Sequence, residues 1–175
     1  MHEYFADDPD MEHLLFESTT VRAHPCAAGA PAKKRAICPA LGRSRGGFST
    51  KIHVKVEALG NPLTFLLTPR QQHDITQAEA LLGESECDYL IADMSYDAQD
   101  FRDLVESKGA IAVIPSRKNR KQPFDYDAHL YKERHLGECF INKIKHYRRI
   151  FSRFDKLDSR YLGFLSFAAT LIWLR

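Results

Sequence analysis

Between Ser49 and Ala58, Ile52, Val54 and Val56 alternate with Lys51, His53, Lys55 and Glu57. A period of two converts into one apolar and one polar face only in an extended strand. The segment therefore reads as a half-exposed strand. Gly60-Asn61-Pro62 supplies a turn, and Leu63 to Thr68 returns as an apolar strand, so the two make a hairpin. Ahead of it, His13 to Arg22 carries Leu14, Leu15, Phe16, Thr19, Thr20 and Val21, β-prone material for a first strand.

The second half changes character. Asp74 can cap a helix running to about Leu82, with Ile75, Ala78, Leu81 and Leu82 at helical spacing. Tyr89 to Ala92 is a short buried strand, Asp97 to Lys108 a helix, and Ala110 to Ile114 a second buried strand closed by Pro115. One long helix is expected from about His129 to Phe154, and a last one from about Lys156 to Leu174. Three antiparallel strands followed by strand–helix alternation predict an α/β fold, a mixed sheet flanked by helices. Ribonuclease H-like domains have this order. The chain divides into an acidic extension over residues 1–12 and one domain over 13–175.

No apolar run reaches the roughly 20 residues that span a bilayer. The acidic start is not a secretion signal, so a cytoplasmic location without membrane contact is expected. Cys26, Cys38, Cys87 and Cys139 are scattered, with none of the spacings of a zinc site.

The net charge of +2 hides an asymmetry. Asp74 to Glu106 holds ten acidic residues and one basic, whereas Arg117 to Arg160 holds thirteen basic and six acidic. A basic half of this size suits a polyanion such as nucleic acid, and equally suits solvated helix faces. Ala23 to Gly47 reads as a long loop with Lys33, Lys34, Arg43 and Arg45; Gly42 to Gly47 within it can approach phosphates or form a plain hairpin turn. Arg117, Lys118, Arg120 and Lys121 make a second basic loop.

On the expected long helix, Tyr131, Arg134, Glu138 and Lys145 fall on one stripe about 60° wide at roughly 100° per residue. Spacing alone is equally met by an exposed face with an Arg134–Glu138 pair at i,i+4. Tyr-x2-Arg-x3-Glu-x6-Lys also resembles the signature around the last acid of DDE transposases of the insertion-sequence four/five superfamily. Further blocks resemble the insertion-sequence-five group in order: Leu41 to Gly47, Ser49 to His53, Gly60-Asn61-Pro62, His73 to Thr76, Ile91-Ala92-Asp93 with Tyr96-Asp97, and Val113-Ile114-Pro115. The likeness runs from about Phe16 to Arg175.

This resemblance implies a ribonuclease H-like catalytic domain that cuts transposon ends and joins the 3′-hydroxyl to target DNA. It implies metal ligation and catalysis by Glu17, Asp93 and Glu138, with Mg²⁺, or Mn²⁺ as substitute. The family's first acid is Asp in an Asp-Ser-Thr segment; here the segment is Glu17-Ser18-Thr19. Tyr131, Arg134, Lys145, Arg43, Arg45, Arg117, Lys118 and Arg120 are the expected DNA contacts. Asp93 at a strand's carboxyl end has an independent claim, since open α/β sheets bind ligands there, although a turn-forming acid also fits. The group's N-terminal helix-turn-helix region is absent ahead of Glu17, so a separate recognition product is an expected partner beside DNA and a homodimer on DNA. The alternative is a truncated or inactive remnant that binds DNA without catalysis.

Overall fold

A computed structural model describes residues 9–27, 40–44 and 46–174. In chain order the strands are β1 (His13–Ala23), β2 (Gly42–Ser44), β3 (Gly47–Val56), β4 (Pro62–Pro69), β5 (Tyr89–Ala92), β6 (Ile111–Val113) and β7 (Ser152–Arg153). The helices are α1 (Ala78–Leu82), α2 (Gln99–Ser107), α3 (His135–Lys145), α4 (Arg148–Phe151) and α5 (Asp158–Trp173).

All strands join one mixed sheet built around β1. β1 pairs antiparallel with β3, from Leu15 opposite Val56 to Arg22 opposite Ser49. β3 pairs antiparallel with β4 and β2. On its other side β1 pairs parallel with β5, and β5 with β6. This is the ribonuclease H-like mixed sheet that the order of elements predicts, three antiparallel strands and then a parallel run. Successive residues of a strand point to opposite faces, and β1 uses both. Leu14 and Phe16 pack with Leu90 and Ala92 under α1 and α2 through Leu81, Leu82, Phe101 and Val105. Leu15 and Val21 pack with Ile91 against α3 and α5 through Phe140, Ile144, Leu165 and Ala169. Helices on both faces explain why β5 is apolar throughout.

Two expectations are corrected. The alternating strand is not half-exposed: His53, Lys55 and Glu57 are buried. The lysine stems lie beneath the elements that follow β4, and their tips reach oxygen atoms. Lys55 Nζ donates to Leu82 O, at the end of α1, at 3.3 Å and to Ser85 Oγ at 2.6 Å. Lys51 Nζ donates to Gln72 O at 2.9 Å and to Asp74 Oδ1 at 3.1 Å. The segment from Asp74 accordingly starts as a 3-10 turn, Asp74–Gln77, before α1.

The expected helix from His129 to Phe154 is broken. A 3-10 turn, Leu130–Arg134, leads into α3; Tyr147 is extended; α4 is one turn; and β7 pairs parallel with Arg22 and Ala23 of β1. Arg153 is the physical cause. Fully buried, it donates to Thr50 Oγ1 at 2.8 Å, to Asp155 O at 2.9 Å and to Asp158 Oδ1 at 2.5 Å, and it lies 5.2 Å from the Tyr161 ring centroid. A buried guanidinium demands such partners, and the strand conformation at residues 152–153 delivers them where a continued helix would not. Among the described residues no helix is long and apolar enough to cross a membrane.

Candidate active site

β1 and β5 run parallel in register, with Phe16 beside Ala92. One residue further on, Glu17 continues β1 opposite Val54 of β3, while Asp93 follows the last residue of the neighbouring β5. Asp93 turns the chain at the carboxyl end of β5. Its Oδ1 accepts from Ser95 N at 2.8 Å and from the Ser95 hydroxyl, capping the 3-10 turn Met94–Tyr96. The turn-forming role open to this acid is thus real, and it also holds the side chain in place.

Glu17 is 9% exposed, deep against α3. α3 crosses so closely there that a Cβ on Gly137 would stand 2.6 Å from Glu17 Cγ. The next helical residue is Glu138. Arg134, at the junction of the 3-10 turn and α3, joins the two: Nη1 donates to Glu17 Oε1 at 2.5 Å and Nη2 donates to Glu138 Oε1. The guanidinium carbon lies 5.6 Å from the Tyr131 ring centroid. The exposed-face reading of Arg134 and Glu138 is therefore only half of the arrangement, because the same arginine reaches across to the first strand. Lys145, half-buried, ends α3 seven residues beyond Glu138.

Charge reflects this convergence. Burial pushes the Glu17 carboxyl up to about 7; the Arg134 charge opposes the rise, and the Asp93 and Glu138 carboxylates add to it. Burial likewise raises the Tyr131 phenol, with Arg134 opposing and Asp93 and Glu17 contributing. Three acids, Tyr131 and Arg134 thus share one neighbourhood. Three carboxylates on three separate elements are the oxygen donor set that a hard divalent cation takes. In their present placement, no three His, Cys, Asp or Glu side chains among the described residues are grouped to hold an ion. Arg134 joins Glu17 and Glu138 instead.

The basic loop after β6 is differently employed from what its charge suggests. Arg117 donates to Met94 O at 3.1 Å and Ser95 O at 2.9 Å, and its backbone N donates to Asp97 Oδ2 at 2.9 Å. Arg120 Nε donates to Asp97 Oδ2 at 3.0 Å and lies over the Phe124 ring. Both arginines fasten the loop to the turn that carries Asp93, while Lys118 is exposed. Arg43 is exposed, near the Phe48 ring. Arg45, Lys33 and Lys34 lie outside the described residues. Sequence reasoning missed the buried Asp97–Arg102 pair at 3.1 Å; an acid and a base five apart at a helix start is a signal too common to single out.

Three comparisons show what the chain is similar to. Residues 8–169 match the Transposase DDE domain family. A Brucella ovis protein that carries the name of transposase for insertion sequence element IS6501 is 42% identical over 129 residues, covering 73% of this chain and 99% of that one. The piggyBac transposase, in a synaptic complex with hairpin DNA, aligns at a TM-score of 0.44 with 12% identity, over 64% of this chain. The chain spans 24% of that larger protein's length. With the family matched over nearly its whole length, and with a close relative covered end to end, the chain belongs to the DDE transposase domain family.

Proposed function

We propose that this chain is the catalytic domain of an insertion-sequence transposase of the four/five superfamily, in the insertion-sequence-five group, which cuts transposon ends and joins the freed 3′-hydroxyl to target DNA. The observation that supports the reading is the Arg134 bridge from Glu17 on β1 to Glu138 on α3, beside the parallel strand that ends at Asp93. Glu17, Asp93 and Glu138 would hold Mg²⁺, or Mn²⁺ in its place. Bound there, the metal supplies activation of the attacking hydroxyl and stabilisation of the leaving oxygen.

The chain's own residues do the remaining work. Ser95 fixes the Asp93 carboxylate, so one ligand is oriented in advance. The loop that holds Ser95 is itself pinned by Arg117 and Arg120, which makes these two supports of the turn. Exposed Lys118 and Arg43, and half-buried Lys145, would meet phosphate oxygens. Phosphate contacts of this kind position DNA without reading its sequence. Transposition joins two ends, so a homodimer on DNA is the expected working form.

One observation favours a second reading. Glu17 carries a methylene more than the family's Asp, a displacement of more than about 1 Å, and misplacements of that order cost roughly 100-fold in rate. A non-catalytic DNA-binding protein would follow. Strand cleavage of duplex DNA bearing transposon-end sequence, with Mg²⁺ or Mn²⁺, separates the two. Cleavage by the unchanged chain that disappears in Glu138→Gln supports the enzyme. No cleavage by the unchanged chain, restored in Glu17→Asp, establishes the inactive form.

A further inference from the structure

Arg134 is a cation already seated among the acids. Its two terminal nitrogens reach two different carboxylates, one on β1 and one on α3. One positive charge there faces three ionisable acids, so the cluster keeps an excess of negative charge that a divalent ion would neutralise better. The guanidinium is partly open to solvent, between the buried Glu17 and the exposed Glu138. The Arg134 side chain is 22% exposed and that of Glu138 is 53% exposed, against 11% for Glu17. The planar fork that fits a carboxylate fits a phosphate equally well, and the Tyr131 ring offers the displaced guanidinium a face to rest against.

We propose that Arg134 couples DNA phosphate to divalent-ion binding: a backbone phosphate draws the guanidinium off Glu17 and Glu138, and the carboxylates so released take the ion. This rests on the reading of Glu17, Asp93 and Glu138 as the metal site. Free of DNA, the chain holds the arginine and binds the ion poorly. On DNA it exchanges one cation for the other. Linkage is reciprocal, so the ion strengthens DNA binding by the same factor. The length of Glu17 matters here, because its carboxylate meets Nη1 at 2.5 Å. An aspartate would withdraw by about one C–C bond, roughly 1.5 Å, to a separation too long for a hydrogen bond.

Mn²⁺ binding to the full chain tests this, read from the electron paramagnetic resonance signal of free Mn²⁺, with and without a short duplex and with binding to the duplex alone subtracted. The expected result is a rise in wild-type affinity of about 5–150-fold on adding duplex, the usual span of site-to-site coupling. Arg134→Gln should bind Mn²⁺ more tightly than wild type without duplex, and the duplex should then add little. If Arg134→Gln binds as weakly as wild type or more weakly, or still gains the full rise, the coupling is refuted while the metal site stands. Should that variant fail to fold, Arg134→Lys without duplex decides between the outcomes, since a single ammonium lacks the fork that spans both carboxylates: tighter binding than wild type supports the exchange, and unchanged or weaker binding overturns it. Absence of Mn²⁺ binding in wild type on DNA and in both variants would remove the metal site and the coupling together.

Discussion

Gly137→Ala and Gly163→Ala are the same chemical change in two helices, but only the second should stabilise. In an open helical position, replacing Gly by Ala gains about 1 kcal/mol. Gly163, exposed within α5, has nothing within 4 Å of an added Cβ, so it should show that gain. Gly137 should not. Its added Cβ would lie 2.6 Å from Glu17 Cγ and 3.7 Å from Glu17 Cβ and Cδ. Carbon atoms rest at about 3.5–4.0 Å, so the overlap with Cγ is about 1 Å. The Glu17 stem has little room to yield: β1 is paired on both sides, and the carboxylate is held by Arg134. Overpacking of this kind costs typically about 1–3 kcal/mol. Because propensity is shared, the difference between the two variants isolates that cost. For a domain of this size about 1 kcal/mol moves Tm by about 2–4 °C, so their melting temperatures should separate by roughly 2–12 °C. Urea titration and calorimetry on both variants measure it. Repeating Gly137→Ala in a Glu17→Ala background, where Cγ is gone, should restore the helix-propensity gain; the double-mutant cycle then reports the contact itself. Equal stabilisation by the two single variants would refute the close approach of α3 to β1 at this point.

Two further outcomes are expected. Burial pushes the His53 imidazole down to about 4, with Asp74 opposing and Lys51 adding to the shift. The unfolded chain therefore takes up a proton below about pH 6.5 that the folded chain refuses, and stability is lost as pH falls from 6.5 toward 4, by up to about 3 kcal/mol. Glu17, raised to about 7, has the opposite linkage over much of that range, so His53 is read from the difference between urea melts of wild type and His53→Gln across it; an identical slope in both would place the titration elsewhere. Arg153→Met should cost about 3–5 kcal/mol in chemical denaturation, since it leaves the largely buried Asp158 carboxylate without its partner. Adding Asp158→Asn to it should recover part of the loss, and no recovery would show that the pair is not the source of the cost.

Local pattern carried the sheet but not the fate of its charged residues. The strands β1, β3, β4, β5 and β6 could be read because alternation, turn residues and short apolar runs are properties of neighbouring positions. Burial of His53, Lys55 and Glu57 could not, because it depends on what comes to lie over β3, and Lys55 ends on oxygen atoms from residues about thirty positions later. Helical spacing placed Arg134 beside Glu138, yet nothing local could show that Arg134 also reaches Glu17, 117 residues away. The break after α3 was hidden for a similar reason: Arg153 reads as one more basic residue until Thr50 and Asp158 are found around it. Arg117 and Arg120 looked like free positive charge because Asp97, buried and shared between Arg102 and Arg120, is invisible as an acceptor in sequence.

The three acids are held by two different kinds of constraint, and this decides which parts of the site can move. Glu17 and Asp93 are set by parallel strand register and by the Ser95 bonds, which backbone pairing makes stiff. Glu138 is set by how α3 packs, through Phe140 and Ile144 in one core and through the glycine contact at Gly137. α3 is entered by a 3-10 turn and left at an extended residue, so it is short and anchored mainly by that packing. The polar link from the stiff pair to the helix is the Arg134 guanidinium, and it binds the acids on both sides. A change that shifts α3 therefore acts on Glu17 both through this arginine and through the contact at Gly137. The separation of Glu138 from Glu17 is then the adjustable dimension of the cluster, set by the packing of α3 and spanned by Arg134.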